Sequence, residues 1–274
     1  MTTDKKKIFD CFIYFDEKDL AEIRINILKD YVDYFVICES KQNHRGEFKK
    51  LNFPIEKFEK IKDKIIYLTF DNFPKFKTTW ERQNYQRNYL INGLKKADKD
   101  DLILFSDADE IPNPSLLLKY HQNHKDKIGI FIHRFFYYKL NLNVPSYSQW
   151  EGTRICKMKY LKSFNWLRDK VKIKNLKYGF WRLDKYKNIV KIDNGGWHFS
   201  FLGSAEFISN KIKSYTHSEF DSDKYTNLER IRLRINEMKD PFDRDKELIK
   251  VPIDSSYPDY IVNNKDKFKD LIIE

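Results

Sequence analysis

Leu102-Ile103-Leu104-Phe105-Ser106-Asp107-Ala108-Asp109-Glu110-Ile111-Pro112 is the stretch on which the fold turns. Its first four residues are wholly apolar, follow the charged Lys99-Asp100-Asp101 and give way to acids and proline, the pattern of a buried strand ending at a polar edge. Such a strand belongs in a sheet covered on both faces, and in open α/β sheets ligands lie beyond the carboxyl ends of the strands. Asp107 and Asp109 are two residues apart, so on a continuing strand they point the same way, with Glu110 on the other side. Carboxylates grouped at a strand mouth make a hard oxygen site suited to Mg²⁺ or Mn²⁺ and completed by phosphate oxygens. The same acids also suit a solvated turn, with Asn113 or Ser115 capping the helix that follows.

Upstream, the chain alternates strand and helix. Ile8 to Tyr14 is rich in β-formers; Leu20, Ile23, Ile27 and Tyr31 then recur at helical spacing, with Glu22 and Arg24 outward. Tyr34 to Cys38 is a second strand ending on Glu39-Ser40, and this β-α-β opening predicts a parallel sheet with a right-handed crossover. Lys41 to Pro54 is a polar loop whose Arg45, Lys49 and Lys50 suit either a nucleotide or plain surface. After a third strand at Ile65 to Leu68, Trp80 to Ala97 reads as a helix. Its Glu81, Arg82, Gln86 and Arg87 are available to a ligand or to pairing along the helix.

Downstream, Ser115 to Tyr120 is a short helix, Gly129 to Leu140 a long β segment and Arg154 to Met158 a further strand. Tyr160 to Asn188 is basic and aromatic without a clean period, and reads as an acceptor-facing part or as surface. In Asn194-Gly195-Gly196-Trp197-His198 the paired glycines mark a strained turn or a close backbone approach. Ser204 to Ser214 and Asp223 to Met238 are amphipathic helices, and Tyr257 to Val262 is a last short element.

Composition narrows the classes. With 41% hydrophobic and 16% aromatic residues the chain of 274 is globular, long enough for one large domain. A net charge of +11 favours anionic partners such as nucleotides, nucleic acid or acidic membrane. The lysines alternate with acids along the C-terminal third, however, so no dedicated nucleic-acid face is expected. Cys11, Cys38 and Cys156 sit in apolar strands and read as buried thiols rather than as disulfides or a zinc cluster. No apolar run reaches the length of a signal core or membrane span, so a soluble, intracellular, cytoplasmic protein is expected.

Val32 to Ser40, Gln86-Arg87-Asn88, Asp100-Asp101-Leu102 through Pro112, Gly196-Trp197-His198-Phe199-Ser200, and Pro258-Asp259-Tyr260 with Asn263 together resemble glycosyltransferase family 17, in the same order and over nearly the whole chain. Asp-Ala-Asp-Glu-Ile-Pro and Gly-Trp-His are the specific motifs. The animal members include the β-1,4-N-acetylglucosaminyltransferase that adds bisecting GlcNAc to N-glycans. The resemblance implies an α/β fold of the GT-A type, a single Rossmann-like domain over 1–274 with a mixed, mostly parallel central sheet. Within it, 1–112 would bind the nucleotide sugar and 113–274 the acceptor. It further implies a UDP-sugar donor, UDP-GlcNAc by default, a glycan or glycoconjugate acceptor, Mn²⁺ or Mg²⁺, and inversion at the transferred sugar. No counterpart of the animal enzymes' membrane anchor and stem is expected. The segment from Tyr137 to Lys191 differs, so the acceptor does not carry over.

On that resemblance Asp109 is the first metal ligand, Asp107 binds ribose or reaches the metal through water, and Glu110 orients the sugar. His198 is either a further metal ligand or a hydrogen-bonded core residue. Glu39 resembles the acid that meets uridine or ribose, with a surface acid or helix cap as the alternative, and Arg82 and Arg87 complete the donor-binding set. Inversion needs a base on the face opposite the leaving group. Glu206 fits it, at a helix start after a glycine loop, or else simply complements the helix dipole; Glu219 and Asp221 stand in reserve. Two rival classes share some of these features. A metal-dependent nucleotidyl or phosphoryl transferase could use the same acids, but no Gly-rich phosphate loop is present. A nonenzymatic basic glycan- or nucleic-acid-binding module would not need acids at a strand end.

Overall fold

The computed structural model describes residues 6–124, 126–214 and 216–274. β1 (Ile8–Tyr14), α1 (Lys18–Leu28) and β2 (Tyr34–Ser40) form the expected β-α-β unit, with β1 and β2 parallel from Phe9 opposite Tyr34 to Tyr14 opposite Glu39. β3 (Ile65–Phe70) extends the parallel ladder beyond β2, and α2 (Thr79–Tyr89) leads to β4 (Leu102–Phe105), parallel to β1 on its other side. Phe9, Phe12, Phe35, Ile37, Ile103 and Phe105 are fully buried, as strands covered on both faces require. The four strands therefore present their carboxyl ends at one edge, where the acidic stretch begins.

The second half of the chain extends this sheet. β5 (Glu110–Pro112), α3 (Pro114–Asn123), β6 (Ile128–Tyr137), β7 (Leu142–Asn143), β8 (Trp150–Lys157), α4 (Phe164–Asp169) and β9 (Ile189–Ser200) follow in order. β8 pairs antiparallel with both β4 and β6, whereas β9 runs parallel to β6 and antiparallel to β5. The ten-stranded sheet is mixed, and its longest ladders are parallel. α5 (Ala205–Ser214), α6 (Asp223–Thr226) and α7 (Leu228–Asn236) pack Ile208, Ile212, Ile231 and Ile235 against Phe135, Tyr138 and Leu142. β10 (Ile249–Lys250) pairs with β7, and α8 (Asp259–Val262) lies under α1, where Tyr260 donates to Glu22 Oε1 at 3.0 Å.

Several elements depart from the sequence expectation for identifiable reasons. The helix expected over 80–97 stops at Tyr89 and tightens into a 3₁₀ segment, Leu90–Leu94, in which Gly93 meets Val36 so closely that a Cβ would stand 2.3 Å from it. The helix expected over 223–238 is interrupted at Asn227, whose side chain accepts the Arg230 N–H at 2.9 Å and caps α7. Gly195 and Gly196 lie within β9 rather than in a turn; Gly196 has φ +151° and passes so near β5 that a Cβ would sit 2.1 Å from the Ile111 carbonyl oxygen. Glu22 and Arg24, expected outward on α1, are both buried. The three cysteines are buried free thiols, as expected. Among the described residues no helix is long and apolar enough to cross a membrane.

Candidate active site

Beyond the carboxyl ends of β1, β2 and β4 lies a cleft of about 370 Å³. The acidic turn forms its floor, and Gln86 and Arg87 of α2, Arg168 and Asp169 of α4, and Lys211 of α5 line its walls. Its mouth is narrowed on one side where Thr79 donates to the Thr216 carbonyl at 2.8 Å and Trp80 packs edge-on against His217 at 4.9 Å.

The turn is fixed from beneath by Arg24. This guanidinium is fully buried and grips Asp10 of β1 through two nitrogens, at 2.8 and 2.6 Å. Its other contacts reach Ser106 Oγ at 2.8 Å and the carbonyls of Asp107 and Glu110 at 3.0 and 2.9 Å. An acid in the middle of an apolar strand and a cation on a helix thus form one buried unit that holds the loop carrying the acids. The remaining geometry follows from β5 against β9, which sets Glu110 opposite His198 and brings the Asp-Ala-Asp-Glu and Gly-Trp-His motifs side by side.

Each acid meets a fixed cation. Asp107 accepts from Arg87 at 2.9 and 3.0 Å and from Arg168 at 3.3 Å. Burial raises its pKa, but the two guanidiniums outweigh that and hold the carboxyl below the usual range. Asp109 accepts from Lys211 at 3.1 Å and lies 3.4 Å from His198 Nε2; against burial, that ammonium and imidazole keep the carboxyl well below its ordinary value. Glu110 takes both nitrogens of Arg168, at 2.8 and 2.7 Å, and the Trp150 indole N–H at 2.7 Å. Burial opposes its ionisation, yet Arg168, followed by His198, keeps it well depressed. All three acids are therefore ionised at neutral pH.

His198 combines features of both sequence readings. Its ring packs against Phe135 at 4.4 Å and Trp150 at 4.7 Å, while Nε2 is turned to Asp109 and the buried Nδ1 has no hydrogen-bond partner among the described residues. Carboxylate oxygen and imidazole nitrogen 3.4 Å apart are a donor set that fits a hard divalent ion, since neighbouring ligands at ~2.1 Å on an octahedral ion stand about 3 Å apart. Among the described residues no three His, Cys, Asp or Glu side chains are grouped to enclose an ion by themselves, so phosphate and water oxygens would have to complete its shell.

The structure brings Arg87, Asp107, Asp109, Glu110 and His198 together in the cleft and does not bring the other expected residues there. Glu39 is fully buried behind the wall; Asn52 N–H at 2.9 Å, Phe53 N–H at 3.1 Å, Tyr67 OH at 2.6 Å and Lys49 occupy its oxygens, so it staples the 41–54 loop to β2. Arg82 donates to the His44 and Phe76 carbonyls, both at 3.2 Å, and braces the same loop. Glu206 stands on the exposed start of α5 in an ion pair with Arg232. Glu219 pairs with His217 at 2.7 Å, and Asp221 with Arg45.

The sequence reading gave no role to Lys211, Glu17 or Trp150, and placed Arg168 and Asp169 only within the span read as acceptor-facing or as surface. Arg168 bridges Asp107 and Glu110, and Lys211 bridges Asp109 and Glu17, the latter at 3.3 Å. Trp150 closes over His198. Asp169 is exposed beside them and is the carboxylate on the cleft wall that makes no ion pair or hydrogen bond among the described residues. Arg168 and Asp169 lie in a span without periodicity and Lys211 among evenly scattered lysines, which is why pattern alone did not single them out.

Fold and cleft together define an α/β protein of the class that takes its ligand at the ends of parallel strands, with the acids of one loop held against cations from three helices. The chain belongs to glycosyltransferase family 17, whose model matches residues 1–272. It is 36% identical over 106 residues to the β-1,4-mannosyl-glycoprotein 4-β-N-acetylglucosaminyltransferase of Homo sapiens, and 35% identical over the same length to that of Mus musculus. The aligned stretch takes in 35% of this chain and spans only 20% of the relatives' own length. The inositol-1-phosphate CTP transferase from T. maritima superposes with a TM-score of 0.34 at 11% identity, over 83% of this chain and 96% of that one, a level that fixes neither fold nor function.

Proposed function

We propose that the protein is an inverting glycosyltransferase of GT-A type that moves GlcNAc from UDP-GlcNAc to a hydroxyl of a glycan or glycoconjugate, working as one domain over 1–274. The observation that carries the reading is the convergence of Asp107, Asp109 and His198 with Arg87, Arg168 and Lys211 in a single cleft of a family 17 chain. A nucleoside diphosphate gains negative charge as it leaves, and preorganised cations around its path stabilise that charge more than the ground state. Lys211 and Arg168 are placed for this because burial removes competing water while Asp109, Glu17 and Glu110 fix their positions. Asp109 and His198, with Asp107 through water, would hold Mn²⁺ or Mg²⁺, which supplies Lewis-acid stabilisation when bound. Asp107 and Glu110, both fixed by Arg168, are set to hold ribose and sugar hydroxyls.

An ionised carboxylate free to take a proton would serve as the base. Glu17, Asp107, Asp109 and Glu110 are each engaged with a cation, which leaves Asp169 as the cleft carboxylate able to do so, whereas Glu206 does not line the cleft and is paired with Arg232. A transfer assay with UDP-GlcNAc and a panel of glycan acceptors separates the two. Asp169→Asn is expected to lower transfer by roughly 10²- to 10⁴-fold with UDP affinity unchanged, and Glu206→Gln to stay near wild type. The reverse pattern would return the role to Glu206, and no turnover of any UDP-sugar by the wild-type chain would remove the reading altogether.

A further inference from the structure

Phe180, Trp181 and Leu183 are 85%, 70% and 92% exposed, three large apolar side chains within four residues. Leu176 and Tyr178 beside them are exposed as well. None of these side chains lines the cleft. Their exposure is built in rather than a consequence of a loose chain. Consecutive turns close the loop, with Arg182 N–H bonded to the Gly179 carbonyl at 3.1 Å, Leu183 N–H to that of Trp181 at 2.9 Å and Lys185 N–H to that of Arg182 at 3.1 Å. The Trp181 indole rests on Gly179, where any Cβ would stand 2.3 Å from the ring, and Phe180 packs edge-on against it at 5.4 Å. Arg182 and Lys185 lie over the Tyr178 ring at 5.2 and 5.5 Å.

Charge around the rings has one sign. Lys170, Lys172, Lys174, Lys177, Arg182, Lys185 and Lys187 flank them along the chain, Lys187 bonding the Gly179 carbonyl, and the only acid in the sequence between Lys170 and Asn188 is Asp184, which Arg182 already engages through both oxygens. A tip of Trp, Phe and Leu ringed by cations fits the interface of an anionic bilayer, where indole and phenyl rings settle at headgroup depth and lysines reach lipid phosphates. A glycan would need hydrogen-bonding partners that Phe180 and Leu183 cannot give, and a protein of opposite charge would leave the apolar tips without a matching surface.

We propose that 176–187 is a membrane-surface anchor that docks the protein peripherally on anionic lipid. The segment begins seven residues beyond Asp169 at the end of α4, whose Arg168 and Asp169 line the cleft, so docking would hold the cleft close to acceptors displayed at a bilayer surface. The inference goes beyond the proposed reaction and is tested without any sugar. Full-length protein is sedimented with vesicles of phosphatidylcholine alone and of phosphatidylcholine with phosphatidylglycerol. Binding is expected to the anionic vesicles, to weaken with salt, and to drop by roughly tenfold or more in Phe180→Ser/Trp181→Ser/Leu183→Ser and in Lys174→Glu/Lys177→Glu. Unchanged melting temperatures would show that both variants are folded; should the serine variant not fold, the lysine variant, whose side chains make no internal bonds among the described residues, carries the test alone. Absence of binding to anionic vesicles, equal binding to both vesicle types, or full binding by the variants would overturn the proposal. So would a wild-type dimer that the serine variant abolishes, since that would assign the patch to a second copy of the chain.

Discussion

His133 shows how strongly single residues in this sheet depend on their surroundings. Its ring is fully buried, accepts the Thr153 N–H at 3.3 Å and occupies space that a Cβ on Gly152 would fill. Burial is the main cause pushing its pKa down, from the ordinary 6.5 to about 3. The unfolded chain takes up a proton near 6.5 and the folded chain does not, so stability falls as pH drops through 6.5 towards 3, by up to about 1.4 kcal/mol per pH unit. The depressed carboxyls of Asp109 and Glu110 act in a lower window: their contribution is complete above their ordinary values near 4 and is lost as pH falls below them. Urea melts between pH 7 and pH 4 are therefore expected to show a slope that His133→Gln reduces by roughly one proton. An unchanged slope would mean that His133 is protonated in the folded state. Arg24 makes the related point about buried charge. Read from the sequence as an outward helix residue, it is wholly enclosed, and the one clue was Asp10, an acid inside an otherwise apolar strand.

At the level of elements, the pairing of β5 with β9 decides whether the site exists at all, because it carries Glu110 to His198. Gly196→Ala would place a methyl 2.1 Å from the Ile111 carbonyl at a φ of +151°, so the two strands would have to separate. A destabilisation of roughly 2 kcal/mol or more is expected, together with loss of UDP binding that low temperature does not restore. A variant with a wild-type melting temperature and full UDP affinity would show that the pairing is dispensable. The central strands and α1 were legible because apolar runs and helical spacing are local signals. The glycine pair could be read as a close approach, but not as part of a strand, because the partner strand is far away in sequence. The 3₁₀ segment after Tyr89 and the break at Asn227 were not legible, since each is set by what the helix packs against or by a single capping bond. The acids at the strand mouth were visible in the sequence; the cations that hold them came from α2, α4 and α5, and only Arg87 among them stood in a recognisable motif.

For the molecule as a whole, a net charge of +11 does not translate into a uniformly cationic surface. Part of the excess is drawn into the cleft as Arg87, Arg168 and Lys211, and part surrounds the exposed rings near Trp181. Within the cleft the carboxylates and cations pair with one another, and on the proposed function a diphosphate would need a cation at Asp109 and His198 to match its own charge. Calorimetric titration of UDP tests this most directly, with Mn²⁺, with chelator, and with Asp109→Asn in the presence of Mn²⁺. The expected result is binding by the wild-type protein with Mn²⁺ that weakens by about tenfold or more both on chelation and in Asp109→Asn. Equal UDP affinity in all three titrations would contradict a diphosphate site organised by Asp109.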